Sequence, residues 1–490
     1  MSHRRPHRRL AFAAPLVVTL LSAVPGAADV ELNSMFGDHM VLQQGIANKV
    51  WGRAAPGEAV TVTFAGQTKA TTAGADGTWH VLLDPVADYG GPHTLTIKGN
   101  NTVVFNDVLV GEVWICAGQS NMQWSVNQSA DPDIEKAAAN VPAIRLITVP
   151  HVGTQEPQWT FEGAWQPCTP ETVAEFSAVG YLFGRQLQQT LGVPVGLIDN
   201  AWGGSAADAW VRRDKLAAHP RLKAIHDRWL KAEADKPGDA SMKGNSRPGN
   251  IHSGVLSPSI GYGIRGVIWY QGESNTGRAH QYRELFPFLI RSWREEWGIG
   301  DFPFYWVQLA DYQAEKPEPG ESDWAELREA QTMTLEAVPN TGEAVIIDLG
   351  EGKYIHPKNK QGVAKRLARW ALAETYNRPG IACRSPRYKS HEKVGSKMVL
   401  SFADVTSWRP FDVAEPRGFT IAGADRKFVP ATAAIAKDGR IEVWSDAVAE
   451  PVAVRYAWAN NPVCNMYSAA GLPLTPFRTD DFPGITVGKE

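Results

Sequence analysis

After its first 28 residues the chain has no uninterrupted apolar run of about 18 residues, so it offers no membrane-spanning helix. It contains no CxxC, HExxH or His-x-His cluster, which leaves a metal without ligands at a usable spacing; no metal and no cofactor is expected. It has no excess of positive charge either. Lys and Arg number 49 against 52 Asp and Glu, a net charge of −3, which argues against nucleic acid or an anionic membrane as partner. No internal repeat and no low-complexity tract is present. Cysteine is scarce: Cys116, Cys168, Cys383 and Cys464 allow three full pairings, among which sequence does not choose. Cys383 and Cys464, both in the C-terminal region, are the easiest pair to join.

What is present starts with an export signal. Arg4, Arg5, Arg8 and Arg9 form a basic stretch, Leu10 to Val24 is apolar and broken by Pro15, and Gly26, Ala27 and Ala28 are small. This layout predicts a signal peptide over residues 1–28, cut after Ala28, and a secreted or periplasmic product. The remainder is more acidic still, because the segment carries four Arg and no acid. A length of 490 residues predicts two to four domains, and 43% hydrophobic with 21% charged residues is ordinary for a globular chain.

Residues 29–107 read as β structure. Val60, Val62 and Phe64 alternate with Thr61 and Thr63, and turn signals such as Pro56-Gly57 and Asp76-Gly77 separate the runs, which predicts a small β-sandwich. The pattern changes at Val108. Residues 108–116 form a nearly continuous apolar run, as in a strand buried on both faces. Helical and strand patterns then alternate: a helix over 177–191, strands at 195–198, 266–270 and 303–309, helices over 279–296 and from Ser322, a strand at 344–347, and a helix over 357–376. Alternation of this kind predicts a parallel sheet covered on both sides over residues 108–380. Residues 212–250 look like a polar insertion, read as a solvated helical excursion or as a lid. From 381 to 490 the β pattern returns.

In open α/β sheets, ligands bind beyond the C-terminal ends of the strands. Four such ends carry polar residues. Ala117-Gly118-Gln119-Ser120-Asn121-Met122 places a serine on a Gly-containing turn after a buried strand, where its hydroxyl can act as nucleophile; Met122 stands where a GxSxG elbow would have its second glycine. Ser as a helix cap is the plainer reading of that turn. Asn200 to Ser205 includes Gly203 and Gly204, which bring a backbone N–H close to a ligand, as an oxyanion hole requires, or form a tight turn. Trp269 to Asn275 offers Gln271 and Asn275 as amide donors, and Glu273 as acid, substrate contact or structural partner. Tyr354-Ile355-His356-Pro357 places an imidazole at a strand-to-helix junction, with Pro357 suited to the first helical position; it could take the Ser120 proton and return it to a leaving hydroxyl. Of twelve histidines, His356 alone is given a role. Gly261 to Gly266 fits GxGxxG but precedes its strand, so a dinucleotide site is rejected. Glu273 and Asp348 as a glycosidase pair would need a separation that sequence does not give.

These motifs, with Ile355-His356-Pro357-Lys358-Asn359-Lys360, Val41-Leu42-Gln43, Val50-Trp51-Gly52 and the run from Val454 to Asp480, resemble the sialate O-acetylesterase family of SGNH-type serine esterases, over about residues 35–485. The resemblance implies a flavodoxin-like three-layer α/β catalytic domain flanked by N- and C-terminal β domains. It also implies metal-free hydrolysis of acetyl esters on a carbohydrate, sialate 9-O-acetyl foremost, with acetylxylan or xyloglucan as alternatives. Ser120 is then the nucleophile, His356 the base, and Gly204 with Gln271 or Asn275 the oxyanion donors beside the Ser120 N–H. Trp202, Trp210 and Trp458 are candidate sugar contacts, with core packing an equal alternative for each. One departure stands out. Related sequences often carry Asp two residues before the histidine, or three before it in the wider class, where this chain has Tyr354 and Lys353. Asp348, Glu351 or a backbone carbonyl is left to orient the imidazole, and a catalytically dead glycan-binding protein is the opposing class. Sequence is silent on oligomeric state.

Overall fold

The computed structural model describes residues 1–3 and 29–490; the expected signal segment falls almost entirely on residues 4–28 and lies outside the described residues. The fold is mixed α/β, with one large mixed sheet and additional β sheets.

One strand organises it. Thr102–Gly118 runs 17 residues, straight across position 107/108. Its first half alternates exposed and half-buried residues and pairs antiparallel with Gly90–Lys98. From Val108 onward every residue is buried, and there the strand pairs parallel with Val195–Asp199 on one side and Gly266–Tyr270 on the other. The switch from alternating to continuous burial is the sequence pattern expected where a one-sided sheet becomes a two-sided one. Side chains of the buried half split between two cores. Val113, Ile115 and Ala117 face one, and Trp114 and Cys116 the other.

Across the parallel part the order is Gln166–Cys168, Val141–Thr148, Val195–Asp199, Thr102–Gly118, Gly266–Tyr270, Phe304–Val307, Thr341–Ala344. Only Gln166–Cys168 runs antiparallel, at the edge. The chain therefore builds outward on one side of the long strand, then crosses to the other. The C-terminal ends beside that crossover are where a crevice opens. Helices cover both faces. Ala178–Leu191 starts on the Ser177 hydroxyl, which accepts from the Gly180 N–H, and stops at Gly192 in the left-handed region. Ala279–Trp297 lies over the other face, where Trp210, Trp269, Trp293 and Phe286 interlock at ring distances of 5.3–6.2 Å. Residues 212–250 are helical over Arg213–Ala218 and Lys223–Asp235.

Three expectations are corrected. The last parallel strand is Thr341–Ala344 instead of 344–347; Val345 and Ile347 pack instead into the core of the C-terminal β region. The last long helix begins at Lys360, capped by the Asn359 side chain, so Pro357 is not its first residue and His356 sits on a loop. All four cysteines are free, including Cys383 and Cys464. Cys383 packs into the core under the parallel sheet, whereas Cys464 packs against Gly418 in the C-terminal β region.

The C-terminal region holds two four-stranded sheets. A fully buried guanidinium ties it to the parallel sheet: Arg328 donates to the carbonyls of Leu309 and Ala310 on one side and of Ala459 and Asn460 on the other, at 2.6–2.9 Å. Arg328→Met strips donors from four carbonyls, those of Leu309 and Ala310 buried. It is expected to lower stability by roughly 3 kcal/mol or more, read as a fall in the denaturant midpoint.

Candidate active site

The parallel register brings the predicted turns to one rim. Gly118 has φ +136° with its backbone against the Tyr270 carbonyl, into which any Cβ would run. The chain then turns into the short helix Ser120–Gln123. The Gln119 side chain accepts from the Gly272 N–H at 3.2 Å, pinning this turn to the next strand's end. The 348–356 loop reaches the same rim from the far edge of the sheet. It is fastened by Gly350 N–H to Asp311 (2.7 Å) and by the Lys358 N–H to Glu351 (2.8 Å). The result is a Ser120 Oγ to His356 Nε2 distance of 2.8 Å.

Both side chains line a cavity of about 480 Å³ with Gln123, Trp124, Asp199 and His151. Burial lowers the pKa of His356, and the nearby Lys360 cation lowers it further, so the imidazole is held neutral as an acceptor. The Trp124 ring meets the imidazole edge-on at 4.2 Å. Burial also pushes the Asp199 carboxyl up to about 7.

The turns that meet at this rim leave two backbone donors unused. Among the described residues the N–H groups of Ser120 and Gly204 have no acceptor, and Gly204 has φ +72°. Gly203 lies so close that a Cβ there would sit 3.4 Å from that of Ser120; its own N–H goes to Gln123 Oε1 at 2.6 Å.

The other candidates are placed elsewhere. Gln271 spends its amide hydrogens on the Ser205 carbonyl (3.1 Å) and Asn275 Oδ1 (2.8 Å). Asn275 is buried in the same network, donating to Asp208 and accepting from the Ala207 N–H. Both Gln271 amide hydrogens are therefore engaged within this network, and Asn275 commits one of its own to it. Asp348 is held by both terminal nitrogens of Arg366, and Glu351 accepts from its own loop. Among the described residues no group accepts a hydrogen bond from His356 Nδ1, so neither acid orients the ring. Glu273 points to Asn121 (2.7 Å), away from the cavity lining. Trp210 is fully buried core, and Trp458 packs on Arg455 and Arg478 at a separate cavity. Trp202 stacks flat on His151, ring planes 3° apart and 4.6 Å between centroids, and so borders the cavity.

Sequence reasoning missed His151 because it missed the strand before it. Val141–Thr148 carries Pro142 and Arg145, which break the apolar pattern. It also missed Asp199 and Lys360, polar groups inside stretches that read as strand and helix. Among the described residues no cluster of His, Cys, Asp and Glu could hold a metal, and no helix is long and apolar enough to cross a membrane.

The chain is similar to known proteins over nearly its whole length. The chain is 30% identical to mouse sialate O-acetylesterase, over 94% of this chain and 97% of that one. It is 32% identical to the human protein of that name, over 92% and 93%. A solved carbohydrate acetylesterase from Xanthomonas citri superposes with a TM-score of 0.83 at 39% identity, covering 93% of this chain and 100% of that one. The protein is a carboxylic ester hydrolase of the carbohydrate O-acetylesterase class. Residues 110–240 and 250–371 match the model of the carbohydrate esterase, sialic acid-specific acetylesterase family, and the chain belongs to that family.

Gly203→Ala presses a methyl group against Ser120 and Gln123. A displacement of this size at a reacting group is expected to lower kcat/KM about 100-fold with little change in melting temperature, measured by ester hydrolysis and thermal unfolding.

Proposed function

We propose that the protein hydrolyses O-acetyl esters on carbohydrates through an acetyl-serine intermediate, with Ser120 as nucleophile and His356 as general base. The observation that carries this reading is the 2.8 Å contact between Ser120 Oγ and His356 Nε2 at the rim of the sheet. Ser120 Oγ attacks the acetyl carbonyl as His356 Nε2 takes its proton. The N–H groups of Ser120 and Gly204 hold the oxyanion. His356 returns the proton to the sugar oxygen, which leaves as an alcohol. Water, deprotonated by the same nitrogen, then releases acetate and restores the serine. The coverage on both sides of the long strand, and the crossover in strand order, support an SGNH-type, flavodoxin-like core for this chemistry.

The substrate we favour is an O-acetylated sialic acid, on the strength of the full-length likeness to proteins named for that activity. Acetylated xylan or xyloglucan is the second choice, since the Xanthomonas relative is named only as a carbohydrate acetylesterase. The bare Nδ1 of His356 favours a different reading, a non-catalytic glycan-binding protein, strongly enough to be tested. The basic and apolar pattern of residues 1–28 supports export to the periplasm or medium.

With p-nitrophenyl acetate, Ser120→Ala is expected to lose roughly 1,000-fold or more in kcat. Full turnover without the hydroxyl overturns the mechanism, and no turnover in the wild type with retained sugar binding supports the binding protein. A panel of acetylated sialosides, xylan and xyloglucan ranks the substrates by kcat/KM. The acid limb of kcat/KM is expected below pH 6.5, because the base must be neutral and burial beside Lys360 lowers its pKa.

A further inference from the structure

The imidazole lacks the carboxylate that would fix its orientation, yet its loop is clamped from the nucleophile's side. Asn121, the residue after Ser120, is 1% exposed. One amide hydrogen goes to the carbonyl of Ile355, the residue before His356, at 3.0 Å. The other goes to Glu273 Oε1 at 2.7 Å, and the amide oxygen accepts from Lys360 Nζ at 2.6 Å. Both amide hydrogens and the amide oxygen are thus engaged, which fixes which end of the amide points where. Lys360 is itself fully buried. Its ammonium lies 5.5 Å from the Trp124 ring and 5.4 Å from that of Tyr270, and Trp124 is the ring that meets His356 edge-on. Among the described residues Glu273 Oε2 has no partner. A buried, incompletely paired ammonium and carboxylate are a costly way to hold a loop if stability were the only return.

We propose that Asn121, locked between Lys360 and Glu273, is the positioning residue for His356: it sets the imidazole by gripping the Ile355 carbonyl, the task an acid on Nδ1 would otherwise perform. This rests on the assignment of Ser120 and His356 above. The nucleophile and the base are then tied to each other through the backbone, one residue away on each side. Burial drives Lys360 down to about 7, and burial likewise raises Glu273 above the usual carboxylate range. The charged and titratable groups around His356 are Lys360 from the following helix, Glu351 from its own loop, and Asp199, His151 and Glu175 across the cavity.

The test compares Asn121→Ala, Lys360→Met and wild type on p-nitrophenyl acetate, with melting temperature and circular dichroism in parallel. Asn121→Ala is expected to lower kcat about 100-fold with KM changed less than about threefold, since a loosened base affects the chemical step and not the pocket. Lys360→Met is expected to lower kcat and also to move the acid limb of kcat/KM to higher pH, because a neighbouring cation no longer opposes protonation of the imidazole. A kcat within about threefold of wild type in folded Asn121→Ala, or an unmoved acid limb in Lys360→Met, overturns the inference. If Asn121→Ala does not fold, Asn121→Ser keeps one donor at the position and is held to the same criterion. The two readings fail separately: activity in Ser120→Ala removes the proposed mechanism, whereas activity in the Asn121 variants with a dead Ser120→Ala removes only the positioning role.

Discussion

Three backbones run parallel at hydrogen-bonding distance through Val195–Asp199, Thr102–Gly118 and Gly266–Tyr270, and the register between them fixes everything at the rim. Asp199 stands opposite Cys116, and Tyr270 opposite Gly118, so all three chains leave the sheet within two residues of one another. The turns that follow have no room to wander. Gly118 adopts a conformation that only glycine takes easily, because its neighbour on the Tyr270 side leaves no space for a Cβ. The serine turn therefore inherits its position from the ladder, beside Gly203 on the neighbouring strand's loop. A hydrogen-bonded pair 236 residues apart in sequence is held to 2.8 Å by sheet pairing on one side and by a fastened loop on the other.

That loop comes from the far edge of the sheet, and its tethers are local. Asp348 grips Arg366 on the helix that follows, Glu351 caps its own turn, and Gly350 hangs on Asp311. Acids close to the histidine in sequence thus serve the backbone of the loop. Arg328 joins the neighbouring loop to residues 459 and 460, so the C-terminal β region braces the same edge.

Much of this was legible before any coordinates. The continuous apolar run from Val108, the helical period over 177–191 and the Gly-flanked turns gave strands, helices and rim. Position at strand ends singled out Ser120 and His356 as candidates, and the family resemblance supplied their expected roles. The amide and acid assignments were less legible for a physical reason. Gln271, Asn275, Asp348 and Glu273 do lie at strand ends, but whether a side chain faces the crevice or the loop beneath it depends on partners distant in sequence: Tyr282 and Ser205 for Gln271, Arg366 for Asp348, Asn121 for Glu273. Tryptophans failed in the same way. Trp210 and Trp458 belong to aromatic or arginine stacks whose members are spread over tens to hundreds of residues. Lys360 reads in sequence as a solvated helix residue, and only the packing of Trp124 and Tyr270 around it shows that it is interior.

An acid on the far nitrogen of a catalytic histidine does two things: it fixes the ring's tautomer and plane, and it steadies the imidazolium that forms as the serine is deprotonated. Here the first task falls to contacts that carry no charge at the ring, the Trp124 edge and the clamped Ile355 carbonyl. The second task is eased by the state of Lys360. A permanently charged ammonium beside the ring would oppose the imidazolium in every turnover. Burial brings Lys360 down to about 7, so its charge beside the ring is not a fixed one. Below that pH Lys360 is charged and keeps the imidazole from taking up a proton early. Burial and the Lys360 charge together favour the neutral imidazole.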